Sequence, residues 1–530
     1  MHFDIMRKPW LTCTMSDNTI KTLSLYDTIL SAHEIKKIHI PSRFYFMEYI
    51  LVSFIVDFAQ DVFKPHGDID DIIEDYLEAG KFSKEQLDKY IDDFEKAGFS
   101  FDLFDKDVPF MQTPTSQMPE VTQKQEKYLS ALGVEYGSGN EVLFFNHNLN
   151  SSVDDHEDQG ELTPCEAMLQ LLYVTAYRHG YAFNFPSIAC GDSSGLHPIF
   201  AMNFGRNLYE TIVLSWSTQK KECTPMWRRK ASSLQKFVDS NSFDALDVTY
   251  FQSFFIQLID FRKCYFVEPE ITTGKENKEK KEEYSELIVL SYRKWIENHP
   301  RIITEIVHYK DKETKKQVEK LRAITYKEKN DSYSWLETMK LDLCASSDSC
   351  KIIKNNRRIA ENLGYEVTTN FYVLSHKNKA SKNIVELEHY FTWETSKRFP
   401  DSHAQLHLKR CLKAITACAK NVAYAITYMD SLAESGKDDE DTPKVDGFST
   451  IAIQITDDCI SKCMWLLENS LYDELFLEGK EVPLKIQNTL RNVFFDALNR
   501  YRVAKHDLIS KEAAINIFVY KTANVFEEKE

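Results

Sequence analysis

Apolar side chains recur at helical spacing over several long stretches of this chain, separated by short alternating runs and breaker-rich loops. Residues 3 to 12 alternate polar and apolar around Pro9 and Trp10, which predicts a short strand and a turn. From Leu25 to Lys37 the residues Leu25, Ile29, Leu30, Ala32 and Ile35 fall near one helical face, so a helix is expected there. Phe44 to Phe63 is more apolar still and predicts a buried helix. Ser83 to Ala97 opens with Ser83 and, three residues on, Gln86, the spacing of a capping box, and Leu87, Tyr90, Ile91 and Phe94 form its stripe.

Residues 101 to 114 carry two prolines and few helix features and read as loop, and residues 146 to 163 form a long polar loop. Cys165 to His179 is helical again. Residues 181 to 207, with Pro186, Gly191, Gly195, Pro198 and Gly205, read as loop and short strand. Tyr372 to Leu387 has two strand-like ends around a polar tip, His376 to Asn383. Four long helices are expected at the end: Ser402–Ala433, Ile451–Leu477, Leu484–His506 and Ser510–Phe526. Joined by short links, they predict a bundle. The charged runs Gly274–Glu283 and Glu434–Asp441 read as solvated loops, and no internal repeat is evident. Trp393, Pro400 and the charged residues between them set a boundary at 395 to 402. The expected fold class is therefore α+β: a large mixed domain over 1–398, then a four-helix bundle over 399–530.

A chain of 530 residues, 43% hydrophobic and 13% aromatic, has apolar area for two or three cores. Its 65 basic and 81 acidic residues give −16, which counts against a free-standing DNA-binding domain, since these are basic as a rule. The balance leaves room for a DNA-contacting subunit whose partners supply the positive field. Basic residues still cluster locally: Arg228, Arg229 and Lys230 after Trp227; Lys351, Lys354, Arg357 and Arg358; and Lys377, Lys379 and Lys382. Such clusters neutralise phosphates, although a charge run is usually only a solvated face.

The eleven cysteines include no CxxC pair, so a reducing compartment is expected. Cys459 and Cys463, four apart, read as one helix face; a metal role lacks a second ligand pair. The first residues hold no continuous apolar core, and Tyr49–Phe58 is too short to span a bilayer. A cytoplasmic protein without membrane contact is expected.

Five motifs, in order, take the reading further. They are Pro9-Trp10 closing a short strand; Leu23-Ser24-Leu25 leading to Ala32-His33-Glu34-Ile35; Phe101-Asp102-Leu103-Phe104 followed by Pro109-Phe110-Met111-Gln112-Thr113; Gly205-Arg206-Asn207-Leu208 with Glu210, Thr211 and Leu214; and Tyr250-Phe251-Gln252-Ser253 before Ile256 and Leu258. Together they resemble the CasA family, the large subunit of the type I-E CRISPR complex called Cascade. The resemblance covers the first 260 residues; the C-terminal half matches in outline only. Residues 265 to 340 show little of the family, and the paired CxxC sites of some members are missing.

The resemblance implies a non-catalytic subunit that binds the other Cascade proteins and the CRISPR guide RNA, and that recognises the motif flanking a double-stranded DNA target. It would help open the duplex and present a surface to a helicase-nuclease. Three elements are implied. Phe144-Phe145-Asn146, after a glycine-rich run, stands where the family has a loop that contacts the complex; the same residues also read as strand core. Gly191-Asp192-Ser193-Ser194-Gly195 is the candidate for a loop whose backbone approaches the minor groove, or an ordinary tight surface loop. Asn378 and Lys379 align with the family's wedge, which unstacks DNA beside the flanking motif. Lys377, Lys379 and Lys382 there, and Arg228 and Arg229, are the candidate phosphate contacts; a solvated basic turn is the bland alternative.

Two other classes remain. His147 and Asp154, Asp155, His156, Glu157 and Asp158 carry side chains that two-metal nucleases use, but they crowd one loop, whereas such sites sit on rigid elements. No Walker A or HExxH motif occurs. No cofactor is expected. A structural interaction protein without DNA contact is the last alternative, and the basic clusters weigh against it.

Overall fold

The computed structural model describes residues 1–40, 45–63, 68–114, 116, 125–128, 162–176, 199–217, 225–228, 255–267, 301–310, 317–323, 351–379, 382–393, 402–434, 450–470, 482–505 and 516. Helix and strand are mixed along the chain, which divides into two compact units. One comprises Met1–Tyr326 and Lys351–Thr395, the other Lys327–Cys350 and Ser396–Glu530.

The first unit opens with a three-stranded antiparallel sheet. Strand β1 (Leu11–Met15) lies between β2 (Ile20–Leu23) and β3 (Ile35–His39). Leu11, Cys13 and Met15 are buried and Thr12 and Thr14 half-buried, the alternation a one-sided sheet requires. The helix expected over Leu25–Lys37 is corrected: α1 covers only Leu25–Leu30, a 3₁₀ turn follows at Ala32–Glu34, and the rest is β3. From Ile35 onward, pairing with β1 replaces helical bonding, and it carries a bulge. Met15 pairs with Ile35 and Thr14 with Lys37, so one residue of β3 is extra and Ile35 and Ile38 both reach the buried side. A bulged strand thus mimics the three-residue spacing of a helix.

Helix α2 (Tyr45–Phe63) is buried at every position from Tyr49 onward, so it is the axis of this unit and not an amphipathic surface helix. Around it stand α3 (Ile69–Ala79) and α4 (Lys84–Lys96). Ser83 caps α4 as its spacing predicts, its hydroxyl accepting the Gln86 amide at 3.3 Å. Residues 101–114 form no helix or regular strand, apart from an isolated bridge between Asp4 and Asp102. Strand β4 (Gln125–Tyr128), helix α5 (Pro164–Ala176), strand β5 (Ile199–Phe204) and helix α6 (Leu208–Leu214) follow. Strands β6 (Phe255–Leu258) and β7 (Lys263–Val267) join β4 in a second sheet, in the order β4-β7-β6. Strands β8 (Thr304–Lys310) and β9 (Gln317–Ala323) make a hairpin. Helix α7 (Lys351–Asn362) precedes β10 (Thr368–Lys379) and β11 (Lys382–Trp393), which form a third sheet with β5 in the order β11-β10-β5.

In the second unit α8 (Ser402–Glu434), α9 (Thr450–Ser470) and α10 (Val482–Lys505) pack against one another. Apart from residue 516, the fourth helix expected at Ser510–Phe526 lies outside the described residues. Cys459 and Cys463 are buried on α9, their thiols turned to the Val493 and Leu490 carbonyls of α10, and burial pushes the Cys459 thiol up to about 12.

Candidate nucleic-acid interface

The described motifs that carry the family resemblance build scaffold, and Tyr250–Ser253 lie outside the described residues. Gly205 precedes α6, where a methyl group would stand 2.3 Å from the Glu210 Cβ, so only glycine fits. Asn207 caps the helix, its side-chain oxygen accepting the Glu210 amide at 2.9 Å. The Glu210 carboxylate turns back to the Arg206 amide at 2.8 Å and to its guanidinium at 2.9 Å.

The segment from Phe101 to Thr113 is a strap. The Asp102 carboxylate accepts the Phe3 and Phe104 amides at 2.7 and 3.0 Å and meets the His2 ring. Burial pushes this carboxyl up, but the two amides and His2 outweigh it and hold it below the usual carboxylate range. At the other end the Gln112 side chain donates to the Leu103 carbonyl at 2.9 Å and accepts the Leu258 amide at 2.6 Å, which ties the strap to β6.

Of the candidate contact residues, Phe144, Phe145, Asn146, Gly191, Asp192, Ser193, Ser194, Gly195 and Arg229 lie outside the described residues, as does the loop from His147 to Asp158. Among the described residues no group of three or more His, Cys, Asp or Glu could hold a metal ion.

Lys377, Asn378, Lys379 and Lys382 stand on the β10–β11 hairpin. The polar tip expected over His376–Asn383 is corrected, because the strands run through most of it. Lys377 pairs with Ile384, Asn378 with Asn383 and Lys379 with Lys382. Cross-strand pairing overrides the weak strand preference of Asn and Lys. Strand β5 accompanies β10 only from Thr368 to Val373. At that point the β10–β11 register shifts, Val373 pairing with His389 and Leu374 with Leu387. From Leu374 to Lys379 the hairpin has no third strand among the described residues. At about 3.3 Å per residue this ribbon is roughly 20 Å long.

The root of the ribbon is held tightly. Tyr372 is wholly buried, and its ring centroid lies 4.9 Å from that of Tyr49 on α2, which in turn is 5.0 Å from Phe200 on β5. Burial pushes the Tyr49 hydroxyl up to about 12. Residues 301–303 flank β5: the Ala201 amide donates to the Arg301 carbonyl and the Ile303 amide to the Ile199 carbonyl, both at 2.9 Å. The Arg301 guanidinium reaches Asp57 of α2 at 2.6 Å, with 1% and 0% of the two side chains exposed.

The basic clusters do not all face solvent. Arg228, on a 3₁₀ turn, donates to the Asp61 carboxylate at 3.2 Å. That carboxylate also accepts the Tyr90 hydroxyl at 2.6 Å and the Trp227 indole at 3.1 Å. Burial, and then Asp61, push the Tyr90 hydroxyl well above its usual value. Arg228 is 33% exposed, on the rim of a cleft of about 360 Å³ beside Lys89, Phe94 and Phe99. Its charge is already partly met by Asp61, which leaves less of it for a phosphate.

The cluster read over Lys351–Arg358 is corrected, because helical periodicity splits it. Ile353, Asn356, Arg357 and Ala360 fall on the buried face of α7. Arg357 is 1% exposed and bonded to Glu361 at 2.8 Å and Thr369 at 3.2 Å. Arg358 points outward, 3.7 Å from Asp70.

A sequence model of the CRISPR-associated protein Cse1 family matches residues 4–497. The chain belongs to that family. Its fold is similar to that of CasA from Thermus thermophilus, at TM-score 0.59 and 15% identity over 99% of this chain and 100% of that one. It is similar also to Cse1 from Acidimicrobium ferrooxidans, at TM-score 0.60 and 15% identity over 99% and 98%. A chain of a CRISPR RNA-guided surveillance complex aligns at TM-score 0.59 and 13% identity over 99% and 100%. At these identities the likeness speaks for the fold. No curated protein sequence matches the chain. What the sequence did not disclose in this Cse1-family chain is how the hairpin is anchored: Asp57 and Arg301 lie 244 residues apart, and no local pattern links them.

Proposed function

We propose that this Cse1-family chain is the large, non-catalytic subunit of a CRISPR RNA-guided surveillance complex, and that it contacts double-stranded target DNA through the β10–β11 ribbon. The observation that carries the reading is a firmly rooted two-stranded ribbon that outruns its sheet and holds Lys377, Asn378, Lys379 and Lys382 at its far end. Support for the subunit role comes from the family and from the likeness to a chain of such a complex. A ribbon of this kind fits a groove, and a wedge at its end stabilises opened duplex after unstacking has cost a few kcal/mol per step. Guide RNA pairing reads most of the target, so the protein needs to read only a short flanking motif.

In this reading the backbone of Gly191–Gly195 meets the minor groove, and Phe144–Asn146 docks the subunit in the complex. The helical unit faces the other protein subunits and the displaced strand, and the assembled surface admits a helicase-nuclease. A chain carrying −16 repels DNA as a whole, so contact is confined to lysine-bearing tips and exposed backbone. Among the described residues no helix is long and apolar enough to cross a membrane, which is compatible with a cytoplasmic assembly.

The test is a gel shift of the complex assembled with and without this chain, on duplex targets that differ only beside the guide-paired segment. Discrimination between those targets should require the chain, and Lys379→Ala should weaken target binding at physiological salt. Equal discrimination without the chain would remove the proposal.

A further inference from the structure

Both faces of β5 are buried: Ile199, Phe200, Ala201 and Met202 are all 0% exposed. The first half of β10 is alike, with Thr369, Phe371 and Tyr372 at 1% or less and Asn370 at 8%. Strands buried on both sides lack the apolar–polar alternation that normally fixes register, so a two-residue slip of β10 along β5 keeps apolar groups inside. Such a slip would move the ribbon end by about 7 Å.

A polar cluster at this joint supplies what alternation does not. Asn203 and Thr369 are register partners, both 0% exposed. The Thr369 hydroxyl donates to the Asn203 side-chain oxygen at 2.7 Å and accepts from the Arg357 guanidinium at 3.2 Å. The Asn203 amide group donates to the Ile353 carbonyl of α7 at 3.0 Å and the Leu214 carbonyl of α6 at 3.3 Å. Arg357 is held from its own helix by Glu361 at 2.8 Å. Three elements, β5, β10 and α7, therefore meet at one hydroxyl, and the Asn203 amide group adds α6. A slip would set Thr369 away from Asn203 and leave buried donors and acceptors unmet, which is how a satisfied polar network selects a single packing.

We infer that Asn203, Thr369 and Arg357 form a register lock that positions the β10–β11 ribbon. The lock itself stands on these contacts; its use in aiming the ribbon at DNA rests on the function proposed above. All three are positioning residues, and none is placed in contact with DNA.

The test compares Thr369→Val, of the same shape without the hydroxyl, with Thr369→Ser, which keeps it, by hydrogen exchange on the full chain. The lock predicts that amides of β10 and β11 exchange about ten- to a hundredfold faster in the valine variant, the factor expected for unmet buried polar groups. It predicts wild-type exchange within about threefold in the serine variant, and unchanged β1–β3 and α8–α10 in both. Arg357→Lys, which keeps the charge and loses the forked contact, should reproduce the valine pattern. Equal acceleration in valine and serine variants would overturn the lock, as would loss spread evenly over the first unit. The assembled complex supplies the second readout, fluorescence of a 2-aminopurine base beside the flanking motif. Opening slowed by valine and restored by serine supports both lock and wedge. A loosened ribbon with opening unchanged keeps the lock and removes the ribbon from the proposed function.

Discussion

Replacing Asp57 by leucine would leave Arg301 charged, 1% exposed and without the carboxylate it meets at 2.6 Å. Neither side chain reaches solvent, so no screening discount applies. Breaking a buried pair from one side costs about 3–5 kcal/mol. Removing both charges is far milder, because desolvation then disappears with the attraction; Asp57→Leu with Arg301→Met should lie within about 1–2 kcal/mol of the wild type. With both single variants losing that much, the cycle predicts a coupling of about 4 kcal/mol or more between the two positions. Urea unfolding of the four proteins measures it, with hydrogen exchange at the Ala201 and Ile303 amides reporting whether residues 301–303 stay on β5. A double variant that loses the sum of the two single losses would refute the pair as the anchor of that strand.

Further outcomes follow from the strap and the α6 cap. Gly205→Ala, whose methyl would sit 2.3 Å from the Glu210 Cβ and 2.7 Å from its carboxylate, should lower stability by about 2 kcal/mol or more; a thermal midpoint equal to the wild type would contradict the packing described. Asn207→Ala, which removes the α6 cap, should cost about 0.5–2 kcal/mol, measured by the same melts, and no loss would show that the cap is unimportant. Asp102 has a lowered carboxyl, so its contribution is complete above its unfolded pKa near about 4 and fades as pH falls through the lower folded value. Amides of residues 3–5 should lose protection on that acid limb, and Asp102→Asn should abolish the pH step. An identical step in the variant would assign it elsewhere.

Local signals in the sequence were readable where the cause was local. Ser83 and Gln86 marked the start of α4 because a cap is satisfied within three residues. The two strand-like ends of Tyr372–Leu387 marked a hairpin, yet its polar tip hid how far the strands continue, since pairing there is decided by the partner strand. Ile35 misled because it continues the helical spacing of Leu25, Ile29 and Ala32, while its pairing with Met15 of β1 is invisible locally. Basic residues in a row said nothing of direction: Arg357 turns inward and Arg358 outward. Thr369 carried no signal, since its significance comes from Asn203, 166 residues earlier.

Salt dependence of target binding by the assembled complex tests the central claim most directly. Each phosphate contact contributes about 0.9 to the slope of log affinity against log salt concentration. With Lys377, Lys379 and Lys382 all changed to alanine, the slope should fall by about 2–3, affinity should drop at low salt, and assembly should be unaffected. An unchanged slope and affinity in the triple variant would contradict the ribbon as the site of DNA contact.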